Sequence, residues 1–238
     1  MSAAKQPRKR RLDDPDRTAR ARIRDAAIER FAAEGVAAAN LKDIAADAGV
    51  STPLVLHHFG SKEGLRVACD EHVASVIRTQ KRAAMVEGKN LDPFQAIRDA
   101  YEGTSVIKYL ATTLADGSPH VDEFIDEMIE DSIEYMAEGV ENGILTPTDK
   151  PRERAIVLAL WQFGALVLHE HAKRLLGVDL ASGRPEDALR WGALNAELLA
   201  KGVITEDFYA TVQETMADAV QTAEHEATTP TGTDQEAT

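Results

Sequence analysis

The sequence predicts an all-α chain, with three short N-terminal helices ahead of a larger helical body. Three observations predict it. Apolar residues recur at i, i+3, i+4 and i+7 through the chain, and no stretch alternates as a half-buried strand would. Gly35, Gly49, Gly60 and Gly88 fall where that period stops, the place where a helix end favours a residue without a Cβ. The net charge of −13 is also unevenly held, since residues 1–66 carry 13 Lys and Arg against 9 Asp and Glu, and the rest carry 14 against 31.

Residues 1–16 are polar and basic, are broken by Pro7 and Pro15, and read as a disordered arm. From Arg17 a first helix puts Ile23, Ala27 and Phe31 on one face until Gly35 stops it. Asn40 caps a second, short helix with Leu41, Ile44, Ala45 and Ala48 on its apolar face, ended by Gly49. Ser51 starts a third of about two turns, with Val55 and Phe59 inward and Pro53 in the first turn, where no amide hydrogen bond is lost. Gly60-Ser61-Lys62-Glu63 breaks and re-caps the chain, and a fourth helix runs from Lys62 towards Glu87. Body helices are expected from Asp92-Pro93 to about Thr113, from Ser118-Pro119 to about Val140, from Pro151, from Pro185 to Lys201, and from Glu206 to about Thr222. Residues 223–238 are too poor in apolar side chains to fold. The expected domains are therefore 17–66 and 67–222.

Between residues 118 and 142 stand nine carboxylates and no Lys or Arg, which reads as a solvated helix face. Ala155 to Leu168 is apolar all round and must be covered on every side. The helix from Pro185 carries two apolar stripes, Trp191/Leu194/Leu198 and Leu189/Gly192/Ala196/Leu199. Two such helices from each of two copies can cover one another as a four-helix bundle, with Gly164 and Gly192 allowing close approach, so a homodimer is expected over a large monomeric core.

Helices two and three, joined by Ala48-Gly49-Val50-Ser51, have the size and turn of a helix-turn-helix, whose second helix lies in the DNA major groove. With Val55 and Phe59 anchored, Thr52, Pro53, Leu56 and His57 point outward; Thr52 can bond a base edge and Leu56 can meet a thymine methyl. Asn40, Lys42, His58 and Lys62 surround this surface with groups suited to phosphate. The basic head on an acidic body fits the same partner, because phosphate attraction is local.

The segments RARIRDAAIERFAAEG (20–35), NLKDIAADAGVS (40–51) and LVLHHFGSKE (54–63) closely resemble the DNA-binding domain of the TetR, or tetracycline-repressor-like, family. The body is similar in helical layout, length and the stretch GILTP (143–147) through Arg154-Ala155. The resemblance implies a homodimer, reading of a double-stranded operator by the third helix, and a small-molecule pocket in the body whose filling releases DNA. It places Thr52 and Pro53 at base-contacting positions, and Asn40, Lys42, His57, His58 and Lys62 at phosphate- or base-contacting ones. Where the family usually has Tyr, this chain has Leu56, so the contact there is apolar or lost.

Rival chemistry finds little support. The seven histidines make no convincing metal site, and no nucleophile elbow, zinc-protease motif or Gly-rich phosphate loop is present, so neither an enzyme nor a cofactor is expected. A helical binding protein or an activator with the same head is the alternative. Tyr101, Thr104, Ser105, Phe124, Met128 and Trp161 combine aromatic, soft and hydrogen-bonding groups and are the candidate effector pocket. The longest apolar run, with Gln162 inside it, is shorter than the ~20 residues a bilayer core needs. The basic start is not followed by the apolar stretch of a secretory signal, so a cytoplasmic protein is expected. The lone Cys69 cannot form an intramolecular disulfide.

Overall fold

A computed structural model describes residues 18–88, 105–116 and 119–216. The expected arm, the start of the helix predicted from Asp92-Pro93, and the C-terminal tail lie outside the described residues. The chain divides after Trp191 into two compact units, Met1–Trp191 and Gly192–Thr238.

Thr18 opens the first unit by accepting the amide of Ala21, which caps α1 (Ala19–Ala38). Ile23, Ala27, Ile28, Phe31 and Ala32 form its buried face. Inside this span Gly35 turns to φ 77°, a backbone state that side chains with a Cβ resist, and so interrupts the helix where the sequence predicts a stop. Next come α2 (Leu41–Asp47), α3 (Thr52–Phe59) and α4 (Lys62–Glu87). The body follows with α5 (Val106–Asp116), α6 (Pro119–Glu141), α7 (Pro151–Val167) and α8 (His169–Leu176). The apolar segment expected from Ala155 to Leu168 ends where the helix does, and the chain bends by 77° there into a separate helix at His169. α9 (Pro185–Lys201) matches its predicted span, and residues 206–216 form α10. No single described helix is long and apolar enough to cross a membrane.

One continuous core joins the N-terminal helices to the body. Ile23 and Phe31 of α1, Ile44 of α2, Val55 of α3, Leu65 and Val73 of α4, Tyr109 of α5, Phe124 of α6 and Phe163 of α7 all belong to it. α1 lies along α5, and α4 along α6. Side-chain bonds fasten these pairs. Ser105 meets both oxygens of Glu29, through its hydroxyl at 2.6 Å and its amide at 3.2 Å, and the Thr112 hydroxyl donates to the Ala32 carbonyl at 3.2 Å. The acidic face of α6 is less open than its composition suggests. Glu127 and Asp131 pair with Arg78, Glu138 with Arg82, and Glu130 with Arg152.

A polar knot sits in the first unit's interior. The Tyr109 hydroxyl donates to Asp70 at 2.5 Å, and the buried Arg66 guanidinium donates to Asp70 and, at 2.7 Å and 2.9 Å, to Glu63. Burial pushes the Asp70 carboxyl above its ordinary range, against the pull of the Tyr109 hydroxyl and of Arg66. Burial and the neighbouring Asp70 raise the Tyr109 hydroxyl, which stays a donor. Burial likewise raises the Cys69 thiol, keeping it protonated and inert.

Candidate nucleic-acid interface

The outward face of α3 is set by what is pinned beneath it. Val55 is fully buried against the core that holds Ile44 and Ala45 of α2, which fixes the rotation of a helix only two turns long. Leu56 is left 42% exposed, with Pro53 and His57 also exposed and Thr52 half-buried. His58 is half-buried, its ring edge-on to His57 at 5.5 Å. The four side chains expected to face outward thus share one edge of α3.

Three further links hold that edge. Arg20 stacks on the Phe59 ring at 5.1 Å, tying the start of α1 to the end of α3. Arg30 donates to Asp47 at 2.5 Å and to Glu34 at 2.8 Å, tying α1 to α2, and its hydrogen bond holds the Asp47 carboxyl below the usual range. Gly64 permits a close approach: a Cβ there would lie 2.2 Å from the Phe59 carbonyl oxygen, so no other residue fits without moving the α3–α4 turn. Sequence reading missed all three. Only Gly64 left a signal, a glycine inside a helical pattern.

The flanking polar residues already have local duties. Asn40 accepts the Lys42 amide at 2.8 Å as the α2 cap, which uses its carbonyl and leaves its NH2 as a donor. The Lys42 side chain is exposed. The Lys62 ammonium donates to the Ala37 carbonyl at 3.0 Å, one of its three hydrogens. Ser61 accepts the Gly64 amide at 3.0 Å, while Ser51 makes no side-chain cap to α3.

The four described candidate effector residues do not line one cavity together. Tyr101 and Thr104 lie outside the described residues. Ser105 is occupied by Glu29, Phe124 and Met128 are packed in the core, and Trp161 is 39% exposed on the outer face of α7. The cleft where α1 meets α5 and α6 is lined by other residues.

Comparison with known proteins bears on this arrangement. Residues 23–69 match the family model for bacterial regulatory proteins of the tetR family, and residues 101–205 match that for the tetracyclin repressor-like C-terminal domain. The chain is 43% identical over 157 residues to the HTH-type transcriptional regulatory protein RaaS of Mycobacterium tuberculosis, a match covering 65% of this chain and 72% of the relative. It superimposes with a TM-score of 0.51 on a Clostridium perfringens protein described as a regulator of fatty acid metabolism, at 20% identity over 77% of this chain and 100% of that one. That likeness bears on the fold alone. With the exposed α3 edge, the matched head and the matched body taken together, this chain is a member of the TetR family of transcriptional regulators.

Proposed function

We propose that the protein is a repressor that binds a partly palindromic operator as a homodimer and leaves it when a small-molecule effector binds. The observation that carries the reading is the single α3 edge of Thr52, Pro53, Leu56 and His57, held by a fully buried Val55. Base contacts come from this edge, and phosphate contacts from Asn40, Lys42, His58 and Lys62 around it. The domains proposed for these roles are residues 17–66 for DNA and 67–222 for effector and dimer.

The dimer is supported by uncovered apolar surface. α7 buries Ala155, Ala159 and Phe163, yet Val157, Leu160 and Trp161 stay exposed on its other side. In the second unit α9 exposes Leu194, Leu198 and Leu199. Gly164, whose position faces open space in the single chain, lets a second backbone come close. Two copies then carry two reading helices, spaced about one DNA turn apart.

Footprinting the full-length protein on the DNA upstream of its own gene tests this. Two protected half-sites about one helical turn apart are expected. Absence of protection there and on the flanking intergenic DNA would sink the operator reading.

A further inference from the structure

A cleft of about 310 Å³ opens where the N-terminal helices meet the body, a size at the lower end of the range for small-molecule sites. Phe31, Gly35 and Val36 line it from the end of α1; Thr112 and Asp116 of α5 and His169 of α8 line it from the body. It lies next to the polar knot, since Arg66 forms part of its wall.

The charges around it select the ligand. Arg66 is no anion receptor, because its guanidinium is already shared between Asp70 and Glu63. Asp116 with that knot makes three carboxyls against one guanidinium, with the imidazoles of His120, 3.5 Å from Glu63, and of His169 beside them, so acidic groups are in excess when the imidazoles are neutral. The helix ends offset one another only in part: α1, α5 and α7 bring C-terminal carbonyls, whereas α6 and α8 bring N-terminal amides. Much of the remaining wall is apolar, formed by Phe31, Val36, Val121 and Val167. An apolar body fits these walls, and a positive hydrogen-bond donor fits Asp116 and the acceptor capacity of Thr112.

We propose that this cleft, in which Phe31, Gly35, Val36 and Arg66 of the head complete the walls given by the 67–222 domain, is the effector site and that it takes a small amphiphilic cation; the proposal rests on the effector-released repressor reading above. Its position supplies the coupling. Val36 is next to Ala37, whose carbonyl holds the Lys62 ammonium, and the same stretch leads into Asn40 and Lys42. A ligand between Val36 and α5 works against the Thr112–Ala32 bond, so it favours a state in which the end of α1 has moved and the reading helix with it.

Calorimetry on the full-length protein with decylammonium and with decanoate, both below micelle formation, decides the cleft whether or not an operator is found. The cation is expected to bind and decanoate not to. Asp116→Asn should weaken the cation by at least about fivefold, in keeping with loss of one close charge partner. Ala115 lines the cleft from an exposed position, so Ala115→Trp should fill it without disturbing the core and abolish binding. On footprinted DNA the cation should weaken wild-type binding at least about tenfold, and Ala115→Trp should be weak without ligand; a tenfold change is the differential affinity such a shift requires. Preference for decanoate, no binding of the cation, or cation binding untouched by both substitutions would each overturn the proposal. Loss of the footprint alone would overturn only the repressor reading.

Discussion

α3 and α7 both leave large apolar side chains in water, and they do so differently. α3 exposes one, Leu56, set between Pro53 and His57 on an otherwise polar edge. α7 exposes Val157 (63%), Leu160 (56%) and Trp161, which recur at helical spacing as a stripe opposite its buried face. A solitary leucine is ordinary surface and needs no protein to cover it, whereas a contiguous apolar stripe marks an interface. Under the proposed function the first serves as a reading edge with one methyl-seeking contact, and the second as the surface a second copy covers.

Substitutions can break that contrast. The largest effect is expected from Trp161→Glu, which places a charge in the centre of the α7 stripe. Sedimentation should show single chains, and operator affinity should fall about a hundredfold or more as two linked half-sites become one; an unchanged mass would refute the assignment of the stripe. Thr52→Ala should leave the dimer intact and cost about 1 to 3 kcal/mol on the operator only, read by anisotropy against scrambled DNA. Lys62→Ala should weaken all DNA alike and lower the salt slope by about one, which a titration at several ionic strengths checks.

The smallest effect concerns the frame under the reading edge. Asp47 has a depressed carboxyl pKa through its hydrogen bond with Arg30, so the pair stabilises the fold above the ordinary carboxylate range and is lost as pH falls through the depressed value. Asp47 is exposed and Arg30 half-buried, so Asp47→Asn should cost less than about 1 kcal/mol in urea unfolding at neutral pH. The difference from wild type should vanish in acid. A difference that persists there would assign the effect to packing.

What was legible in the sequence was short-range. Gly35 and Gly60 sit where helices stop, Asn40 does cap α2, and the inward turn of Val55 follows from its spacing. The bend at Leu168 was not legible, since neither Gly nor Pro marks it and Ala172, Leu175 and Leu176 continue the helical spacing of Leu168 beyond the end of the apolar run. Ala155 to Leu168 was expected to be covered on every side, yet within one chain a single face is, because composition counts apolar residues without saying which molecule supplies the cover. The pairing of Glu127 and Asp131 with Arg78, and of Asp70 with Tyr109, depends on how α4 packs on α5 and α6. No local pattern records that. The cleft escaped for the same reason: its lining comes from segments more than a hundred residues apart.

The core shared by Phe31, Val55 and Tyr109 also limits how this architecture can be recombined. Grafting residues 17–66 onto an unrelated effector-sensing scaffold would strand Ile28, Phe31 and Ala32 without the α5 surface that seals them. A working chimera must bring α5 along, so the transferable cassette is the head together with its adjoining body helix.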